Sequence, residues 1–373
     1  MNKTGQVAVD ARADRIAQAT GFSDFCLTLK PQPGERVEVL LARVARELEA
    51  RQAEPLHVLA FGAVQQAPAA VPALAELLGE RECPMTWVEG ASCDGGAVAG
   101  VQVFAVTGAE VERVRVGNRV AACVFHDETG RHCVIGGLSP SLGVDSPVSA
   151  ARRVFELLEW TLARTGFGLG DVVRTWFFLD DLLAWYEAFN RVRAEFYERA
   201  RFRAGCLPAS TGVAARNPAG APLTAAAWAM QPLHGATRVV EVPSPLQGPA
   251  RAYGSWFSRA VEVLDGRGAG GAGRRLWISG TASIAPDGRT LYSGLARPQI
   301  EHTLRVVEAI LESRGYGWGE VTRAVAYFKR ASDAALFRAW QERRELRRLP
   351  VVETVCGICR GDLEFEIELD ARR

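Results

Sequence analysis

The feature that most constrains this chain is an internal repeat. Gly166-Phe167-Gly168-Leu169-Gly170-Asp171-Val172-Val173-Arg174 returns 149 residues later as Gly315-Tyr316-Gly317-Trp318-Gly319-Glu320-Val321-Thr322-Arg323. Val134-Ile135-Gly136-Gly137 returns as Trp277-Ile278-Ser279-Gly280 after 143 residues, and Leu207-Pro208 as Leu349-Pro350 after 142. A drift of a few residues is what changes in loop length produce, so the matches mark a repeated structural unit. Pro84 supplies the corresponding proline of a first, truncated copy.

The pattern inside each copy sets the fold class. In the second copy, 119–125 and 132–138 read as a hairpin and 147–165 as a helix; 170–179 is a strand entered from a glycine loop, and 183–200 is a second helix. The stretches 207–213 and 223–230 read as a closing strand pair, with 216–220 as the turn. The first copy gives a helix at 37–51, a strand at 56–63, a helix at 71–78 and a proline-led strand pair, after an irregular lead-in at 1–36. The third ends in a hairpin of 351–358 and a strand in which Leu363, Phe365, Ile367 and Leu369 face one way and Glu364, Glu366 and Glu368 the other. Residues 231–276 have no counterpart, and the glycine run 266–273 reads as a flexible hairpin tip. The whole predicts an α+β fold of repeated units over 1–110, 111–235 and 236–373, with mixed, mostly antiparallel sheets carrying two helices on one face. The bare sheet face needs cover. Three copies in one chain supply it as a trimer-like core, with sites between copies.

Composition narrows the function classes. A formal charge of +1 gives no basic excess for nucleic acid, and no apolar run approaches the roughly 18 residues of a membrane span. Residues 1–15 are polar and mixed in charge, unlike a signal peptide, so a cytoplasmic chain is expected. Eight scattered cysteines in a chain this long read as reduced thiols. Cys356-x-x-Cys359 has no second Cys-x-x-Cys and no histidine pair at ligand spacing, and His57, His126, His132, His234 and His302 are isolated. No metal and no cofactor are expected.

The C-terminal stretch carries a resemblance. A Leu-Pro, a strand, a polar turn and a Glu-Ile-Glu strand resemble the ending of the Rid (YjgF-like) family, enamine/imine deaminases that assemble as trimers with a site at each interface. In that family an Arg follows the proline, and here Val351 and Ala209 stand there. The run Cys359 to Glu368 is similar instead to the chorismatases, Rid-like enzymes acting on chorismate, and the resemblance extends over about residues 100–373. It implies pyruvate release from chorismate, a small-molecule substrate, and a monomer or small homo-oligomer. A hydroxybenzoate product is favoured, with the 3- and 4-isomers both open. The alternatives are a dihydroxycyclohexadiene carboxylate made by hydrolysis, a Rid-type deaminase, or a binding protein without catalysis.

Candidate residues follow from both lines. The resemblance makes Glu366 the catalytic acid, and a shielded carboxyl beside Cys359 should have the raised pKa a proton donor needs. Tyr253, Gly254, Ser255 and Arg259 set a phenol, a hydroxyl and a guanidinium around a glycine that permits close approach, and a segment of this kind lines chorismatase sites. A dianionic substrate needs fixed cations, for which Arg174, Arg216, Arg259 and Lys329 are candidates near copy boundaries. Lys329 stands where an Arg is more usual in the family. The resemblance further links Cys359 and a small residue at Ala282 to 3-hydroxybenzoate formation, with glycine completing that pair in the family.

Overall fold

The computed structural model describes residues 21–140, 146–233, 235–264 and 273–373. His234, residues 1–15 and the glycine run up to residue 272 lie outside them. The first part holds β1 (Ser23–Leu29), α1 (Val37–Ala50), β2 (Glu54–Gly62), α2 (Ala67–Leu78), β3 (Met85–Val88), β4 (Ala91–Ser92) and β5 (Val98–Thr107). The middle holds β6 (Glu112–Val116), β7 (Arg119–His126), β8 (Gly130–Leu138), α3 (Pro147–Arg164), β9 (Val172–Leu179), α4 (Leu182–Arg199), β10 (Ala209–Ala214) and β11 (Leu223–Pro232). The last holds β12 (Arg238–Val242), β13 (Ala260–Leu264), β14 (Arg275–Ala282), α5 (Ala296–Ser313), β15 (Val321–Phe328), α6 (Ala334–Arg343), β16 (Val351–Val355) and β17 (Phe365–Arg372).

Three sheets result, ordered β1-β5-β2-β3, β10-β9-β11-β8-β7-β6 and β12-β13-β14-β17-β15-β16-β4. Read from opposite ends, the second and third share one order, with β4 from the first part added at the edge of the third, and the first is the same sheet without its two leading strands. The expected α+β class is the one found. Several local expectations are corrected. The proline-led strands are not hairpin partners of the strands that follow them. β10 pairs in parallel with β9, β16 with β15 and β3 with β2, while β11, β17 and β5 lie antiparallel on the other side of those strands. A helix separates each parallel pair, as a crossover requires. Residues 231–276 do have a counterpart, since β12 and β13 occupy the places of β6 and β7. The lead-in contains strand β1, paired with β5 along its whole length.

The repeated glycine motif is a structural turn. The Asp171 carboxylate accepts the Gly168 amide at 3.0 Å and the Glu320 carboxylate accepts that of Gly317 at 2.8 Å, so each copy caps a one-turn helix leading into β9 or β15. Helix α3 starts where Ser146 accepts the Ser149 amide at 3.1 Å and Pro147 fixes the first turn. Its Val154, Phe155, Leu158 and Leu162 then fall on one buried face. Helix–sheet cores of this kind fill the outer layers of the second and third units. A further core, including Phe61, Phe104, Trp176, Trp228, Trp277 and Tyr327, draws on all three sheets where their inner faces meet. No helix among the described residues is long and apolar enough to cross a membrane.

Candidate active site

Strand β17 decides the site. Its Phe365, Ile367 and Leu369 pack in the helix–sheet core, so period two turns Glu364, Glu366, Glu368 and Asp370 toward the other face. The row of acids is not solvated: these four are 2%, 4%, 0% and 5% exposed. Burial on this scale requires partners. Glu364 is held by Lys329 and Arg330, Glu368 by Arg174 and Arg323, and Asp370 by Arg323.

Glu366 lies in the floor of a cavity of about 420 Å³ where the second and third sheets meet. The seam itself is a row of hydrogen bonds. Ser210 N donates to Ser279 Oγ at 2.8 Å, Gly280 N donates to Thr211 Oγ1 at 3.1 Å, and Ser258 N donates to Pro208 O at 3.0 Å. Ala282 stands opposite Glu366 on β14. Burial, reinforced by the negative charge of Glu368 and partly opposed by Arg174, raises the Glu366 carboxyl to about 8. Burial also pushes the Cys359 thiol up to about 12, with Glu366 adding to it, so both side chains are protonated at neutral pH.

The remaining walls come from α4 and from the segment between β12 and β13. Tyr186, Asn190 and Arg193 on α4 line the cavity. Arg193 is 1% exposed, donates to Asn190 Oδ1 at 2.5 Å, and keeps a buried Nε without a partner. The guanidiniums of Arg259 and Arg360 each lie over the Tyr253 ring, 5.4 Å from its centroid. Those two arginines spend donors on the backbone: Arg259 Nη2 on Gly248 O at 2.9 Å, Arg360 Nη1 on Gly288 O at 2.6 Å. The arrangement offers a neutral acid, a neutral thiol and the guanidiniums of Arg191, Arg193, Arg259 and Arg360 around one partly open space. It can protonate a bound anion and hold its charge while doing so.

A curated 3-hydroxybenzoate synthase from Streptomyces hygroscopicus is 28% identical to this chain over 288 residues, covering 70% of this chain and 79% of that protein. A crystal structure of a chorismatase superposes with a TM-score of 0.62 at 20% identity, over 94% of this chain and 98% of that one. The chain has the fold of that chorismatase. A YjgF/YER057c/UK114 family protein from Mycobacterium tuberculosis aligns along its full length with 33% of this chain, at 23% identity and a TM-score of 0.28. No family model matches.

The cavity gathers Glu366, Cys359, Tyr253, Gly254, Ser255, Arg259 and Ala282 from the sequence reading. Three expected cations are not among its lining and are corrected. Arg174 is fully buried below the floor, bound to Glu368 and Thr211. Arg216 is in the loop after β10 and reaches Glu89 of the first unit, Nη2 to Oε1 at 2.7 Å. Lys329 follows β15 and is satisfied by Gly361 O at 2.5 Å and Glu364 at 3.2 Å. Arg193 and Arg360 take their place in the wall. Arg193 had a signal in the sequence. Tyr186, Asn190 and Arg193 fall at i, i+4 and i+7 on a face whose neighbours are apolar, and polar groups on a core face need a reason.

Proposed function

We propose that this chain converts chorismate, releasing pyruvate, with Glu366 as the proton donor. The observation that carries the reading is a carboxyl kept protonated at neutral pH inside an arginine-lined cavity. Chorismate is a dianion. Arg193, with its unpartnered Nε, is the side chain we assign to one carboxylate, and the Arg259–Tyr253–Arg360 stack presents positive charge to the other. We also read the chain as three units with boundaries near 110 and 235.

Glu366 donates its proton to the enolpyruvyl methylene carbon, leaving a carboxylate beside an oxocarbenium-like ether carbon. Product identity depends on what meets that centre. If the ring carbon–oxygen bond of the ether breaks instead, its electron pair completes the carbonyl of pyruvate, the neighbouring ring hydroxyl oxygen meets the electron-deficient ring carbon, and net loss of one proton from the ring to Glu366 gives the aromatic product; chorismate then equals pyruvate plus hydroxybenzoate, and no water is consumed. If water adds, the adduct collapses to pyruvate and a dihydroxycyclohexadiene carboxylate. The half-buried, neutral Cys359 beside Glu366 favours the first route, because a weak donor and acceptor holds a water poorly. The likeness to a 3-hydroxybenzoate synthase supports the 3-isomer.

The test is incubation of the purified protein with chorismate, following pyruvate with a coupled assay and separating ring products against 3- and 4-hydroxybenzoate and diol standards. Pyruvate with 3-hydroxybenzoate is expected. Pyruvate with the diol would overturn the role of Cys359, and absence of pyruvate would overturn the reading.

A further inference from the structure

Below the cavity floor, three strands bring one repeated position together. Arg174 and Arg323 end the two copies of the glycine motif. His57 is their counterpart in the first unit: the next residue, Val58, donates its amide to Pro84 O at 2.9 Å just as Ala324, after Arg323, donates to Pro350 O at 2.8 Å. His57 is buried and kept neutral, first by burial and then by the charge of Arg323, with its pKa lowered to about 3. Arg174 and Arg323 converge on opposite oxygens of Glu368. Trp176 Nε1 donates to the same carboxylate at 3.1 Å, and Thr211 Oγ1 donates to it as well.

That carboxylate is tied to the acid through two short links. It lies two residues from Glu366 on the same face of β17. Thr211 Oγ1, its hydrogen-bond donor, accepts the amide of Gly280, the residue beside which Glu366 rests. The corresponding bond between the first and second units, Gly137 N to Thr86 Oγ1 at 2.8 Å, sits in a seam where backbone fills the space: a Cβ on Gly137 would lie 2.5 Å from Met85 O. The arginine-bound carboxylate and the open cavity therefore occur at the same seam.

We propose that Glu368, Arg174 and Thr211 form a positioning set that fixes the carboxyl of Glu366 over Gly280 and keeps one compensated negative charge beneath it. The proposal rests on the reading of Glu366 as proton donor. Other titratable groups face Glu366 from the packed elements: Tyr186 and Arg193 on α4, Tyr327 on β15, Cys356, Cys359 and Arg360 beyond β16, and Tyr253 and Arg259 from the β12–β13 segment. Burial holds the four side chains Tyr186, Tyr327, Cys356 and Cys359 neutral near pH 7. Glu368 and Arg174 are then the charges that pull Glu366 in opposite directions.

The experiment is the titration of Glu366 in the ligand-free protein by infrared difference spectroscopy, its band identified by loss in Glu366→Gln, together with kcat and KM against pH. Glu368→Gln is expected to lower the Glu366 midpoint by about one unit or more, and Arg174→Met to raise it. Thr211→Val should reduce kcat about tenfold with KM nearly unchanged, and Thr211→Ser should recover most of it. Unshifted midpoints, shifts of the same sign, or a Thr211→Val variant with wild-type kcat would overturn the proposal. If the wild type releases no pyruvate, the functional reading fails, while the infrared midpoints still decide whether the set acts on Glu366. Should Glu368→Gln not fold, Arg174→Met carries the sign test, since Glu368 keeps Arg323.

Discussion

Glu366 Oε1 occupies the volume that a side chain at Gly280 would need, since a Cβ built there lies 2.0 Å away. The glycine is a seat for the acid. Its amide is fixed by Thr211 of the second unit, so the seat is assembled by two units.

Gly280→Ala should therefore displace the carboxyl rather than unfold the chain, because the obstructed atom is the end of a flexible side chain. We expect kcat for pyruvate release to fall by about 100-fold or more, as a misplaced catalytic group costs on that scale. Circular dichroism and a melting temperature close to wild type would accompany the loss. A variant with full activity would show that the acid acts from another position.

Glu366→Gln should abolish turnover and retain chorismate binding by calorimetry. Its stability is expected to depend on pH in a defined direction. The folded-state pKa, about 8, is above that of an unfolded carboxyl, so the native protein binds more protons than the unfolded chain between the ordinary carboxyl pKa and 8. Wild-type stability then falls as pH rises through that window, and the glutamine variant is spared this loss. Thermal unfolding at pH 5 should show little difference, and at pH 9 the variant should be more stable by on the order of 4 kcal/mol. Equal melting temperatures at pH 9 would contradict a buried, neutral acid.

Arg193→Met should raise KM for chorismate by roughly 10- to 100-fold, the worth of a charge-assisted hydrogen bond in a partly open site. The effect on kcat should be smaller. Steady-state kinetics with unchanged KM would remove Arg193 from the substrate contacts.

Cys359→Ala should shift the ring product toward the diol by making room for a water next to Glu366. Pyruvate release continues in this case, and only the chromatogram changes. A product ratio identical to wild type would make the thiol a packing group.

The local sequence was legible to different depths in different places. Alternation in β17 gave the two faces of the strand, and the Glu-Ile-Glu ending pointed to the acid. The glycine motif gave the repeat, although its acids turn out to cap turns. Strand partners were misread three times in the same way, because period two reports which face is buried and carries no information on which strand lies alongside. Arg174 and Lys329 were misread for a related reason. A cation on a strand near a unit boundary can face the cavity, the buried axis or the surface, and its one-letter environment is similar in each case.

By itself, then, the sequence determined the α+β class and the repeat, since these depend on spacing and residue type within one segment, and its resemblance to the chorismatases made Glu366 the candidate acid. The tertiary structure decided which strands adjoin, that Arg174 belongs to Glu368, that Arg193 and Arg360 reach the cavity, and that Gly280 seats Glu366. Each of these joins residues brought close only when the three sheets close on a common core. Burial and the charge at that seam, which govern the protonation of Glu366, arise at the same step.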